Sequence, residues 1–390
     1  MKNIKKYLLL AFIIENLLAQ TRLLGGTSVF FYIFLVAGGY FLFEGSLFKK
    51  DTYESCKCLF LLAGVYILYQ FTVGFETLSS RTLLYLTAKV TTFIIIVISV
   101  SSDWEFYAKR TPQIFSIGVL LVLIYGLLTG QNNEVNGRQL VGFTNTNTTS
   151  SMGAFAFAGF LFFRNRQNSL KYLFAMLLCF YAVLAGGSRK GIMILFIIIV
   201  MWKGVSIKLV PLIFVLLLFV ELIIGNMGIE LSGVERGLAT LNGEIGTNRD
   251  DERLATMMMI SERPWTGWGF EAQNVGRAAI VSELGSHNGY LEMLKFMGYP
   301  FTILWFLCLF SYILPMIKYY KSDKMEIRYH LTLVIALTVA AMYEGLYVGV
   351  HELSTNMFFI SLAVLTCYKY QLTCKINKKG DKSNRNNRRF

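Results

Sequence analysis

The sequence predicts an all-α, polytopic integral membrane protein with about twelve transmembrane helices and one long extracytoplasmic loop. Hydrophobic residues make up 55% of the 390 residues and charged residues only 16%, and the mean hydropathy is +0.52. A bilayer core about 30 Å thick requires roughly 20 mostly apolar residues per helix, and such windows recur along most of the chain. We therefore predict one membrane domain over residues 1–374 and a basic, disordered cytoplasmic tail over residues 375–390.

Apolar windows define the predicted spans. They are residues 7–24, 27–43, 58–75, 83–100, 114–130, 150–163, 172–187, 191–202, 208–225, 299–317, 329–350 and 354–370. The first window follows a basic start but lacks a small-residue cleavage site, so it is interpreted as an uncleaved helix and not a signal peptide. Whether this window crosses the membrane stays open.

The distribution of the basic residues predicts the orientation of these spans. The net charge of +13 does not indicate nucleic-acid binding, because the cations form short clusters between apolar windows. Such clusters remain on the cytoplasmic side of membrane proteins. With the N terminus inside, the inner segments are 1–6, 44–57, 101–113, 164–171, 203–207, 318–328 and the tail. All lysines except Lys89, Lys190 and Lys295 then lie inside or at an inner span edge, which predicts a bacterial inner-membrane protein with both termini in the cytoplasm.

Two outer segments stand out by composition. Residues 131–149 are polar and rich in Asn and Thr, and residues 226–298 form the only long stretch between apolar windows. Within the second segment, Asn248 precedes three acidic residues, a pattern typical of a helix start. A helix is therefore predicted over about 249–262, ended by Pro264. Since long structured loops usually carry function, we expect the site in these two segments.

The predicted outer face carries mainly arginine, whose planar guanidinium binds phosphate oxygens in pairs. A loop arginine can equally pair with a loop carboxylate. Arg189 and Lys190 are adjacent cations at the outer end of two spans, which calls for an anionic partner: a bound ligand, or lipid phosphates reached by snorkelling. His287 follows Ser286 where the long loop re-enters the membrane, and it can exchange a proton near neutral pH or serve only as a structural hydrogen-bonding group.

Ionisable residues also occur inside the predicted spans, where they indicate functional interiors. They are Glu15, Lys89, Glu221 and Glu344. All except Glu15 lie near outer span ends, which favours an outward-facing cavity over the midplane site of a transporter. The six cysteines show no spacing typical of a metal site or of a disulfide framework.

Four motifs occur in these outer segments. In chain order they are Gly137-Arg138 with Gly142-Phe143-Thr144-Asn145-Thr146-Asn147, then Gly187-Ser188-Arg189, then Arg253 with Arg263-Pro264-Trp265-Thr266-Gly267-Trp268-Gly269, and finally Ser286-His287-Asn288-Gly289-Tyr290-Leu291 with Gly298. Their order and spacing resemble the O-antigen ligase / Wzy-type polysaccharide polymerase superfamily over roughly residues 110–300. One departure is Asn145-Thr146-Asn147, where that family usually has Asn-Pro-Asn.

The resemblance implies a GT-C-like membrane glycosyltransferase that needs neither metal nor other cofactor. Its donor would be an undecaprenyl-diphosphate-linked oligosaccharide on the outer face of the membrane. Arg189 and Arg253 would hold the diphosphate and stabilise its charge as it leaves, and His287 would orient or deprotonate the acceptor hydroxyl. Further residues implied to bind the diphosphate or substrate are Arg138, Lys190, Arg263, Asn288 and Asn147.

Several functions share these motifs. The favoured hypothesis is a polymerase that joins repeat units in capsule, exopolysaccharide or O-antigen biosynthesis. A ligase that transfers the lipid-linked glycan to a different acceptor remains an alternative, followed by a lipid-linked oligosaccharide transporter or flippase and by a structural scaffold of an export complex. Expected partners are membrane lipids and the flippase and chain-length regulator of the same pathway, without nucleic acid.

Overall fold

A computed structural model describes most of the chain. The described residues are 2–22, 32–33, 36–37, 40, 49–130, 134–135, 138–167, 170–203, 248–270, 288–321, 324–350 and 352–387. Within these ranges the side chains of 2–6, 134–135, 163–167, 189, 203, 248–252, 321 and 375–387 are left out of the description.

Helices make up nearly all of this described part. They are α1 (Lys2–Ala19), α2 (Lys50–Phe71), α3 (Ser80–Ser102), α4 (Trp104–Leu128), α5 (Thr146–Gln167), α6 (Leu170–Gly186), α7 (Arg189–Lys203), α8 (Asn248–Glu262), α9 (Gly289–Met316), α10 (Met325–Ala340) and α11 (Leu353–Asn387). Short 3-10 helices cover Val73–Thr77, Ile317–Lys321 and Ala341–Tyr343. Two short strands, β1 (Glu134–Val135) and β2 (Arg138–Gln139), pair in antiparallel fashion before α5.

Six of the described helical segments are long and apolar enough to cross a membrane. They are Lys50–Phe71, Ser80–Ser102, Trp104–Leu128, Gly289–Tyr320, Met325–Tyr343 and Leu353–Cys374. Shorter apolar helices cover Tyr7–Ala19, Leu170–Gly186 and Lys190–Trp202. The chain is thus an all-α membrane protein, as predicted. Of the predicted spans, 208–225 and most of 27–43 lie outside the described residues.

Several boundaries differ from the predicted ones for local reasons. Helix α9 begins at Gly289, ten residues before the predicted span, and bends at Gly298, where φ is +67° and Pro300 follows. Proline removes a backbone donor, and a positive φ suits glycine, so a bend at this point is expected. The predicted helix over 249–262 is confirmed as α8.

The C-terminal tail also differs from its predicted form. Residues 375–390 were expected to be disordered, whereas α11 extends to Asn387. A helix that has already formed adds residues at little cost, and the lysines of this segment are good helix formers. The buried first half of α11 therefore provides a nucleus from which the basic segment continues.

Small residues let helices α5, α6 and α7 pack closely. A Cβ atom at Gly191 of α7 would overlap the Ser150 hydroxyl of α5, and one at Gly186 would lie 2.7 Å from the Thr146 carbonyl oxygen. Such contacts are typical of helices that associate within a membrane. Glycine at these positions brings the first turns of α5 and α7 together at one end of the bundle.

Candidate functional site

A polar cavity of about 310 Å³ lies at the end of the bundle that contains the predicted outer segment 131–149. Its walls come from the end of α1, the first turns of α5, α7 and α11, and the turn after α10. The lining residues are Gln20, Thr144, Asn145, Thr148, Ser151, Met152, Lys190, Glu344, Glu352, Leu353 and Ser354. Nearly all of them are polar, which is unusual next to long apolar helices and marks this cavity as the candidate site.

Three helices begin at this cavity. Lining residues belong to the first turns of α5, α7 and α11, which start at Thr146, Arg189 and Leu353. The first turn of a helix leaves backbone N–H groups without intrahelical partners, and the helix dipole places about half a positive charge there. Three such ends at one cavity would favour an anionic ligand there.

The first motif closes one wall of the cavity. The Thr144 backbone N–H donates to the Gln20 carbonyl oxygen over 3.0 Å, which ties the start of α5 to the end of α1. The Asn145 side-chain oxygen accepts from the Asn147 backbone N–H at 2.7 Å. Asparagine is among the preferred residues at the start of a helix, so the Asn-Thr-Asn sequence provides this turn without the proline usual in the resembling family.

Arg138 and Asn147, both implied as binding residues, are brought together. The Arg138 guanidinium donates from Nη2 to the Asn147 side-chain oxygen at 2.6 Å and from Nε to the Gly186 carbonyl oxygen at 2.8 Å. These bonds join the first motif to the segment just before the second. Arg138 therefore acts in this structure as a brace beside the cavity.

Lys190 lies inside the cavity wall and is only 5% exposed. Its ammonium group forms an ion pair with the Glu344 carboxylate. The expectation was that an anionic ligand or lipid phosphate would balance this cation; the structure supplies a carboxylate of the same chain. Sequence analysis identified Glu344 as an ionisable residue within a span but did not assign it to the site.

The turn that carries Glu344 is held by side chains of α3. Lys89 is 1% exposed and donates to the carbonyl oxygens of Tyr347 at 2.9 Å and Gly349 at 2.6 Å. The Tyr85 hydroxyl donates to the intervening Val348 carbonyl oxygen at 2.6 Å. Lys89, predicted to mark a functional interior, thus positions the turn and does not line the cavity itself.

Glu352 is a site residue that sequence analysis missed. It lines the cavity immediately before α11, and its Oε2 atom lies 2.8 Å from the Thr355 hydroxyl. Burial, reinforced by the neighbouring Glu344 carboxylate, raises the pKa of Glu352 to about 7, although Lys190 opposes this shift. The sequence does contain a signal: Glu344 and Glu352 flank two glycines, a composition typical of a turn. It was missed because most of this segment falls within the predicted span 329–350.

The first described residues of the fourth motif lie beside the same turn. The Asn288 side-chain oxygen accepts from the backbone N–H groups of Tyr290 at 3.0 Å and Leu291 at 3.2 Å, and so caps α9. A Cβ atom at Gly289 would lie 3.0 Å from the Glu344 carbonyl oxygen. His287, the preceding residue, lies outside the described residues, as does the side chain of Arg189.

The third motif has a different place in the structure. Its backbone pairs with the bend of α9: the N–H groups of Trp268 and Gly269 donate to the carbonyl oxygens of Lys295 and Phe296, each at 2.9 Å. The Arg263 guanidinium lies 4.3 Å from the Trp268 ring centroid. Arg253 is exposed on α8, and neither arginine is among the described residues that line the cavity.

Comparisons with known proteins add no identification: no protein-family model and no curated protein matches this chain. Within the described part of the chain, no three His, Cys, Asp or Glu side chains are grouped so as to hold a metal ion. The site is therefore characterised by its own chemistry. That chemistry is a polar cavity beside apolar helices, with three helix N termini, one buried ammonium group and two carboxyl groups.

Proposed function

We propose that this chain is a membrane glycosyltransferase that joins undecaprenyl-diphosphate-linked oligosaccharide repeat units. The observation that carries the proposal is the convergence of three helix N termini and Lys190 on one polar cavity. A diphosphate ester is the anion that such a cavity would stabilise, and the adjoining apolar helices suit its polyprenyl chain. This accounts for both halves of a lipid-linked sugar donor.

The uncharged lining residues suit the sugar part of the substrate. Gln20, Asn145 and Thr148 offer donors and acceptors that match hydroxyl groups without adding charge. A sugar acceptor held beside the donor would turn the transfer into a step between fixed partners, which lowers the barrier strongly. The cavity volume of about 310 Å³ leaves room for the diphosphate and the sugar next to it.

In this mechanism the acceptor hydroxyl oxygen attacks the anomeric carbon of the donor. The bond between that carbon and the phosphate oxygen breaks, and the electron pair stays on the diphosphate. The helix N termini and Lys190 at the cavity stabilise the developing charge. By resemblance, Arg189 would contribute to this stabilisation and His287 would take the hydroxyl proton, whereas Arg253, implied by the same resemblance, is exposed on α8 and is not among the residues lining the cavity.

The membrane orientation belongs to the same proposal. Segments predicted to face outward contribute the cavity, and the basic clusters lie at the other end of the sequence-predicted topology. We therefore place the transfer on the outer face of a bacterial inner membrane, in capsule, exopolysaccharide or O-antigen biosynthesis. The expected partners are membrane lipids and the flippase and chain-length regulator of that pathway.

The test is polymerisation by purified protein in lipid nanodiscs supplied with lipid-linked repeat units. We expect a ladder of products, and its loss by a factor of about 10² or more in Lys190→Met, since removing one charge-stabilising donor typically has an effect of this size. Arg189→Ala and His287→Ala should also abolish the ladder. If the ladder persists in those two variants, the roles assigned by resemblance are wrong.

A matched control is available at the opposite end of the bundle. Lys324 forms an ion pair with Glu105 at 3.1 Å, away from the cavity. Lys324→Met should keep the ladder, because it removes a lysine from an ion pair without touching the site. Transfer of a single glycan to a different acceptor would favour the ligase alternative, and transport without a new glycosidic bond would favour a flippase.

A further inference from the structure

The charges at the cavity raise a question about how an anion can bind there. The Lys190 ammonium and Glu344 carboxylate neutralise each other. An ionised Glu352 would then leave one net negative charge on the lining side chains, directly opposed to a diphosphate. Binding of a diphosphate in the cavity therefore requires that the Glu352 carboxyl group either points elsewhere or carries a proton.

The contacts of Thr355 indicate which of these holds. Its hydroxyl oxygen is within hydrogen-bonding distance of two acceptors, the Leu346 carbonyl oxygen and Glu352 Oε2, the latter at 2.8 Å. A hydroxyl group has one hydrogen, so it can donate to only one of them. Two complete hydrogen bonds form at the same time when Glu352 is protonated and donates to Thr355 while Thr355 donates to Leu346; beside an ionised Glu352, the single Thr355 hydrogen would be shared between the two oxygens.

The packing around the carboxyl group keeps it at this position. A Cβ atom at Gly349 would overlap Glu352 Oε2, so the carboxyl group rests against bare backbone that only glycine leaves open. Lys89 binds the Gly349 carbonyl oxygen from the other side. The carboxyl group is thus fixed at the edge of the cavity by the same turn that carries Glu344.

The charged groups around Glu352 divide in their effect. Glu344 favours the protonated form, while Lys190 of α7, Lys89 of α3 and the N terminus of α11 favour the ionised form. Two other carboxyl groups of described residues lie near this turn. The Glu292 carboxyl group of α9 contacts Gly345, and Glu15 of α1 accepts a hydrogen bond from Asn16, which in turn bonds to Asn356. His287 and His351 are outside the described residues. The residues of α5 that line the cavity are uncharged.

We infer that Glu352 is a residue of the diphosphate site that carries a proton, which it donates to Thr355, so that the ligand binds together with a proton. This inference rests on the proposed function, because it takes the diphosphate as the ligand. A protonated carboxyl group adds no negative charge beside the diphosphate, whereas a carboxylate would repel the ligand. Glutamine has nearly the same shape and keeps a donor at all pH values.

The experiment measures binding of geranylgeranyl diphosphate to the full-length protein in nanodiscs by isothermal titration calorimetry. Titrations at pH 6 and pH 8, each in two buffers with different ionisation enthalpies, give the protons taken up per bound ligand. At pH 8 we expect wild type to take up close to one proton more than Glu352→Gln. The wild-type Kd should rise about tenfold from pH 6 to pH 8 relative to the variant, since the competent protonated fraction falls by that factor.

Glu15→Gln is the matched control, because Glu15 is a buried carboxyl group that bonds to Asn16 and is not among the residues lining the cavity. It should keep the wild-type proton uptake. Equal proton uptake and equal pH dependence in wild type and Glu352→Gln would overturn the inference and leave the proposed function standing. If geranylgeranyl diphosphate binds wild type no better than geranylgeraniol, the cavity does not hold a diphosphate and both proposals fail.

Infrared spectroscopy of the wild-type protein provides a readout that does not depend on how the variant folds. Addition of the diphosphate at pH 8 should increase the C=O stretching band of protonated carboxyl groups, as Glu352 takes up its proton. Absence of this increase, with binding confirmed by calorimetry, would contradict the inference.

Discussion

Two lysine–glutamate ion pairs lie at opposite ends of the helix bundle, and they differ in their surroundings. In the cavity pair, the Lys190 and Glu344 side chains are 6% and 29% exposed. In the other pair, Lys324 and Glu105 are 49% and 58% exposed. The two ends are separated along α11, since Leu353 borders the cavity and the Tyr368 ring contacts Trp104, about 22 Å further along the helix.

The comparison shows how burial changes the meaning of the same two residue types. Exposed ion pairs contribute little, because water and salt screen both charges. A buried lysine that loses its partner lowers the free energy of unfolding strongly, so any ligand that separates Lys190 from Glu344 has to compensate the Lys190 charge. The exposed pair also lies near aromatic rings, with the Lys324 ammonium 5.0 Å from the Trp104 ring centroid, a common arrangement at the surface of a membrane protein.

The largest effect is expected from breaking the buried pair. Lys190→Met and Glu344→Gln should each reduce the free energy of unfolding by about 2–3 kcal/mol, since each leaves one polar group uncompensated. The double variant should recover most of that stability without recovering polymerisation. Thermal unfolding in nanodiscs and the product ladder would be measured together; a double variant that recovers activity would show that the pair has only a structural role.

A smaller effect is expected from releasing the turn that carries Glu344. Lys89→Met removes the charged donor to two carbonyl oxygens and should cost about 2 kcal/mol. Tyr85→Phe removes one neutral hydrogen bond and should cost about 1 kcal/mol. Both are measured as shifts in thermal unfolding, and the ladder should weaken in the same order. Equal effects would contradict the assignment of Lys89 as the main positioning residue.

The pH dependence of stability follows from Glu352. Its pKa is raised in the folded protein by burial and by Glu344, so the folded state holds more protons than the unfolded state between the two pKa values. Stability contributed by this group is therefore present at low pH and is lost as the pH rises through its folded pKa. From pH 6 to pH 8 we expect a loss of about 1 kcal/mol in wild type relative to Glu352→Gln, measured by thermal unfolding.

The smallest effect is expected at the exposed pair. Lys324→Met or Glu105→Gln should change the free energy of unfolding by at most about 0.5 kcal/mol, and less at high salt. Unfolding in low and high salt provides the measurement. An effect as large as that of Lys190→Met would remove the distinction between the two ends.

Much of the fold could be predicted from the sequence because membrane spans depend on local composition. The apolar windows that overlap described helices required only the thickness of a bilayer. Residues 329–350 show the limit of this approach: the segment is apolar on average, yet α10 ends at Ala340 and a 3-10 helix and a turn that carries Glu344 follow. A hydropathy average does not detect this turn, because its side chains are mostly apolar. The turn is held instead by Lys89 of α3, which donates hydrogen bonds to its carbonyl oxygens.

The candidate site was predicted in part. Three residues implied by the motifs lie at the cavity or beside it: Lys190 lines it, and Arg138 and Asn147 bond to each other next to it. Arg263 instead stacks on Trp268 next to the bend of α9. Glu352 was not selected because it lies outside the resembling region, and its place at the cavity depends on how the turn before α11 folds.

The three helix N termini at the cavity have a consequence for how this molecule can change over time. Their partial charges belong to peptide groups, so replacing side chains leaves most of the electrostatic attraction in place. Under the proposed function, mutations can therefore alter which sugar or which acceptor is recognised while binding of the lipid-linked diphosphate persists. A site of this construction would allow the surrounding residues to diverge widely without first losing the proposed substrate.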